Sequence, residues 1–147
     1  MPAIIYVCAS YTDDGFNAFA SVTDSGTGSI ISHDGFSCQT VIQVYEGETL
    51  NTGSCTITGL TASKAVELQD GVVRDGSYLI GLHIPEGRYS VRNSKEDFAY
   101  NEVTVYSDAS RKGVAATYSK VDDGTEISLP PGVYVQIKDA ELIYISE

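Results

Sequence analysis

Thr125-Glu126-Ile127-Ser128-Leu129-Pro130-Pro131-Gly132-Val133-Tyr134-Val135-Gln136-Ile137 decides the fold. Ile127 and Leu129 alternate with polar residues, and Val133, Val135 and Ile137 resume the alternation after Gly132. Successive side chains of a strand point to opposite faces, so this spacing sets one face on a core and the other in water. Between the two runs, proline presets φ and glycine supplies positive φ at no steric cost, which reads as a turn.

The same pattern extends outward. Tyr89 with Val91 and Val103 with Val105 repeat the alternation, and the runs stay short. Turn signals separate them at Asp13-Asp14-Gly15, Asp34-Gly35, Glu46-Gly47, Asp75-Gly76, Glu86-Gly87 and Asp122-Asp123-Gly124. Many short strands punctuated in this way predict an all-β chain, an antiparallel β-sandwich or barrel-like fold. One stretch, Thr61 to Leu68, offers a short helix with Thr61 as its cap, and reads equally well as a linker strand.

The chain also repeats itself. At an offset of 83, Met1-Pro2 falls on Ile84-Pro85 and Tyr6 on Tyr89. At 84, Asn17 falls on Asn101, Val22 on Tyr106, Thr23 on Ser107 and Asp24 on Asp108. At 85, Thr40 falls on Thr125, Ile42 on Ile127, Val44 on Leu129, Gly47 on Gly132, Leu50 on Val135 and Ile57 on Leu142. Two related tandem modules follow: residues 1–60, a linker over 61–74, and residues 75–147. The strand expected at Ser77 to His83 has no counterpart before Met1, so the first copy reads as N-terminally truncated, in a chain that starts abruptly or belongs to a longer one. A missing strand leaves an open sheet edge, which proteins usually cover. The linker, the other module or a second chain is expected to fill it, and a homodimer through that edge is one form of the last.

The second module contains Gly76-Ser77-Tyr78-Leu79-Ile80-Gly81-Leu82-His83-Ile84-Pro85-Glu86-Gly87-Arg88-Tyr89, then Val105-Tyr106-Ser107, then Leu129-Pro130-Pro131-Gly132-Val133-Tyr134-Val135. It resembles the Y-x-V-G-x-D-I-P-A-G-x-Y repeat of predicted exported proteins and lipoproteins of Gram-positive bacteria, which closes on a V-x-L-x-D-G-x-Y-L strand pair. His83 and Pro131 depart from that pattern, which carries an acidic residue and a turn aspartate there. The resemblance implies a β-rich, envelope-associated module of extracellular or cell-surface location, and it transfers no catalytic residue. Ile84 to Gly87 reads as a hairpin-type turn, with Tyr78 and Tyr89 packing across strands beside it and their hydroxyls reaching solvent.

Composition narrows the function classes. The 147 residues carry 9 Lys+Arg against 20 Asp+Glu, a net charge of −11 that would repel a nucleic-acid backbone or an anionic membrane surface. No apolar run approaches the ~18 residues of a membrane span, and Met1 to Ser10 lacks the basic start of a signal peptide. Cys8, Cys38 and Cys55 include no C-x-x-C pair. They read as small buried apolar residues, or as one disulfide and a spare thiol in an exported protein.

The inventory for chemistry is thin. A nucleophile needs a base of suitable pKa, and the only histidines are His33 and His83. His33 stands beside Asp34 and five residues from Cys38, in what reads as a loop tip; His83 reads as a surface residue beside a turn. The acidic pairs Asp13-Asp14, Glu96-Asp97 and Asp122-Asp123 fit turn formation better than paired-carboxylate hydrolysis. Asp24, Asp34, Asp108, Asp122 and Asp123 could supply calcium ligands, but no D-x-D-x-D-G series is present. Gly26-Thr27-Gly28 reads as a flexible turn, not a phosphate cradle. Ten tyrosines, Tyr100, Tyr106, Tyr118 and Tyr134 among them, could stack sugars, although no tryptophan assists. No catalytic residue, cofactor or metal is therefore assigned. The expected function is a non-catalytic structural or adhesion-type interaction domain with a protein or glycan partner. Carbohydrate or other ligand binding is the alternative, and an enzyme the third reading.

Overall fold

A computed structural model describes residues 3–11, 18–93, 101–119 and 121–147. Met1-Pro2, Asp13-Asp14-Gly15, Asn17, Glu96-Asp97 and Tyr100 lie outside the described residues. The chain is all-β and divides into two compact units, Met1–Ser63 and Lys64–Glu147.

Unit 1 holds β1 (Ala3–Ser10), β2 (Phe19–Asp24), β3 (Ile30–Gly35), β4 (Gln39–Tyr45), β5 (Glu48–Gly53) and β6 (Cys55–Gly59). They form two antiparallel sheets, ordered β4-β1-β6 and β3-β2-β5. Cys8, Ala18, Ala20, Val22, Phe36, Ile42 and Cys55 make the core, with Tyr6, Val44 and Leu50 packed partly buried against it. Because these residues come from both sheets, the inward faces meet as in a sandwich.

Unit 2 holds β7 (Val72–Val73), β8 (Gly76–Leu79), β9 (Gly87–Asn93), β10 (Glu102–Tyr106), β11 (Val114–Ser119), β12 (Glu126–Leu129), β13 (Tyr134–Lys138) and β14 (Ala140–Ser146). Its antiparallel sheets run β12-β9-β14-β7 and β11-β10-β13-β8. The order reproduces that of unit 1, with β7 and β8 each added to one edge.

The register establishes the duplication strand by strand. Tyr6 lies opposite Ile42 and Gly59, as Tyr89 lies opposite Ile127 and Tyr144. Val22 lies opposite Leu50, as Val105 lies opposite Val135. Two left-handed backbone pairs recur in step: Gly47 (φ 86°) with Gly132 (φ 89°), and Ser54 (φ 58°) with Asp139 (φ 54°). Non-glycine residues rarely adopt positive φ, so the second pair marks shared backbone geometry, not shared composition. Cys8 and Cys55 fall on Val91 and Ala140, which is the place of small apolar core residues.

Several sequence expectations are corrected here. The β2–β10 match has an offset of 83, not 84: Val22 falls on Val105 and Thr23 on Tyr106. A one-residue slip would turn every core side chain outward. Asp24 therefore falls on Ser107, not on Asp108; Asp24 N–H donates to Ser29 O and Ser107 N–H to Gly113 O. The offset changes in the following turn, which is one residue longer in unit 2.

Ile84 to Gly87 is not a hairpin turn, because β8 and β9 belong to different sheets. The reversal lies earlier, where His83 N–H donates to Leu79 O and Gly81 N–H to Ile84 O. Pro130-Pro131-Gly132 likewise carries the chain between sheets, from β12 to β13. Thr61 to Leu68 forms only a 3-10 turn, Leu60–Ala62, and no α-helix. Val72 and Val73, in the expected linker, pair with Ile143 and Leu142.

Candidate functional site

The two units differ at one side of the sandwich, and that side is the candidate site. In unit 2, β7 extends β14 and β8 extends β13. Tyr89, Leu129, Val135 and Leu142 are then buried almost completely. In unit 1, among the described residues, β5 and β6 each pair on one flank only. The matching side chains lose their cover: Tyr6, Val44 and Leu50 are only half-buried, and Ile57 is 46% exposed. Ile4 stands 55% exposed at the same end of β1.

A cleft of about 320 Å³ opens there, lined by Ile4, Tyr6, Val44, Tyr45, Glu46, Gly47 and Glu48. Its apolar floor carries an acidic rim. Glu48 is drawn inward, its carboxylate accepting the Tyr45 N–H at 2.8 Å. Pro130 stands at the Tyr45 position in unit 2 and has no N–H to offer.

Charge sets the units apart as well. Residues 1–63 contain six acids and not one Lys or Arg; all nine basic residues lie from Lys64 onward. Edge strands are usually guarded by lysine, proline, a bulge or extreme shortness. The unit 2 edges use shortness, at two residues in β7 and four in β8. Neither β5 (Glu-Thr-Leu-Asn-Thr-Gly) nor β6 (Cys-Thr-Ile-Thr-Gly) has a lysine or a proline. Sequence reasoning expected the edge to be filled and missed this segregation of charge, which counting basic residues in each half reveals.

The residues singled out for chemistry are dispersed. His33 projects from β3, where its ring stacks on Phe19 with centroids 5.7 Å apart and planes at 23°. Cys38 precedes β4 in the other sheet, where its carbonyl accepts the Ser10 N–H. No described contact joins His33 to Cys38. All three cysteines are free thiols. Burial, with the Cys55 thiol close by, pushes the Cys8 thiol up to about 12, the opposite of an activated nucleophile.

His83 is not a surface residue: it is 1% exposed. Its Nδ1 accepts the Leu79 N–H at 2.9 Å, and its carbonyl accepts the Val66 N–H at 2.8 Å. Burial alone pushes its pKa down to about 4, so the ring is neutral and serves as an acceptor inside the turn. The tyrosine hydroxyls are corrected too. Tyr78 and Tyr89 are fully buried; Tyr78 Oη donates to Arg74 O at 2.6 Å and Tyr89 Oη to Pro85 O. Each hydroxyl ties the strand back to a carbonyl four residues upstream, a device of β-sandwich corners.

The acidic loops are engaged locally. Asp34 is buried and accepts from Thr40 Oγ1 at 2.7 Å. Asp123 accepts from both Asn93 N–H and Asn93 Nδ2. Asp24 accepts from the N–H groups of Thr27 and Gly26, and Asp108 from the hydroxyl and then the N–H of Ser110. These bonds favour the charged form and lower both pKa values. The Asp122 carbonyl holds the Thr125 N–H. Among the described residues no three such groups cluster as a metal site. Tyr106, Tyr118 and Tyr134 are half-buried, and the Tyr106 and Gln136 side chains meet at 3.4 Å. No described helix is long and apolar enough to cross a membrane.

The chain matches no protein-family model, no curated protein and no solved structure.

Proposed function

We propose that this chain is a non-catalytic interaction module of the adhesion type that binds a partner through the open side of its first unit. One observation carries the reading: the same sandwich is present twice, closed in one copy and open in the other, and the open copy exposes residues whose counterparts are core. Contiguous apolar surface of this kind, rimmed by charge, marks binding sites. The resemblance of the second module to repeats of exported Gram-positive proteins supports a surface-attached or extracellular setting.

Selection of a random-peptide display library on the immobilised chain tests the proposal. The expected result is enriched peptides whose saturable binding is lost in Ile57→Asp, a substitution at an exposed position that leaves the core intact. Enrichment indifferent to Ile57→Asp, or reproducible glycan-array binding retained by that variant, would overturn it.

A further inference from the structure

We propose that the open side of unit 1 accepts a β-strand from another polypeptide, an extended segment with the apolar spacing of residues 71–86 and basic flanks. This inference rests on the interaction-module reading and names the kind of partner it takes. Unit 2 displays the filled form. There Gly76, Ser77, Tyr78 and Leu79 lie opposite Ile137, Gln136, Val135 and Tyr134. The matching stretch of unit 1 is Thr52, Asn51, Leu50 and Thr49 on the outer flank of β5. Beyond β8, Ile80 N–H donates to Val133 O at 2.9 Å, and Ile80 O accepts the Gly132 N–H at 3.0 Å. Their counterparts are Glu48 and Gly47, which line the cleft. An incoming strand in the same register would seat its Tyr78-like residue against Leu50. Its Ile80-like residue would pair with Gly47 and Glu48 at the cleft, and its Val73-like residue would cover Ile57.

Such strand addition draws affinity from main-chain hydrogen bonds and specificity from alternate side chains. Charge selects the source. A second copy would bring another basic-free unit, with Glu46 and Glu48, against this one, and like charges oppose that pairing. A strand with lysine or arginine at its ends meets the acidic rim favourably.

The probe is a fluorescent synthetic peptide with the sequence of residues 71–86 and two added lysines at each end, titrated into the full chain. The expected result is saturable binding with slowed amide exchange over residues 48–52 and unchanged exchange over 134–137. Replacing the peptide residues matching Tyr78 and Ile80 by aspartate should weaken binding about tenfold or more, since each loses a buried apolar contact. That control cannot disturb the folding of the chain itself. Failure of this peptide while library peptides still bind at Ile57 overturns the strand inference and spares the module reading. Failure of both sinks both. Protection of residues 48–52 in a sedimenting dimer without peptide also overturns the proposal, by making a second copy the occupant.

Discussion

Ile57 and Leu142 occupy the same register position, opposite Cys8 in one unit and Val91 in the other, yet Ile57 is 46% exposed and Leu142 fully buried. Strand β7 makes the difference, because Val73 lies directly opposite Leu142 and no described strand covers Ile57. Leu142→Ala should therefore destabilise unit 2 by about 2–5 kcal/mol, and Ile57→Ala should cost unit 1 less than about 1 kcal/mol. Denaturant titration of both variants checks this, and equal losses would contradict an open side.

His83 predicts a pH dependence. Its folded pKa, pushed down to about 4, lies below the ordinary value of 6.5. The unfolded chain therefore binds the proton more readily, and the stabilisation present above pH 6.5 is lost as pH falls toward 4. Its full extent is on the order of 3 kcal/mol. Comparing His83→Gln with the parent isolates this contribution from the carboxylates: the parent should lose more stability than the variant across that window. Parallel curves would refute it.

Tyr89→Phe should cost about 0.5–1.5 kcal/mol, since the bond to the Pro85 carbonyl is lost while the ring remains. Tyr78→Phe should behave alike through Arg74. Thermal unfolding of each variant measures the loss, and neutrality would show that water replaces the hydroxyl.

Thiol labelling should separate the cysteines. Cys38 is half-buried, whereas Cys8 and Cys55 are buried. An aromatic disulfide reagent should modify Cys38 in the native chain and reach Cys8 only on unfolding. Rapid native modification of Cys8 would show that unit 1 opens its core.

Gly53 faces Phe19 across β5 and β2, and a Cβ there would meet Phe19 Cε1 at 2.3 Å. Gly53→Ala should destabilise unit 1 by about 1–3 kcal/mol through overpacking. Adding Phe19→Leu should recover part of that loss in a double-mutant cycle.

What the sequence determined by itself was periodicity and punctuation. Alternation at Ile127, Leu129, Val133, Val135 and Ile137 specifies strands, because side-chain direction has period two in any strand. Gly47 and Gly132 mark equivalent turns for a similarly local reason. The duplication was legible from Tyr6 and Tyr89 and from Ile42 and Ile127. Register and partnership were not. The offset between β2 and β10 depends on which side chains meet a core built from distant strands, and a chance identity at Asp24 and Asp108 outweighed it in the sequence. The burial of His83 and the inward turn of Tyr78 and Tyr89 depend on the crossing from β8 to β9 between sheets, which no local pattern encodes. The exposure of the apolar residues at the candidate site was decided in three dimensions. Tyr6, Val44, Leu50 and Ile57 match core positions of the second copy, and among the described residues no strand covers them.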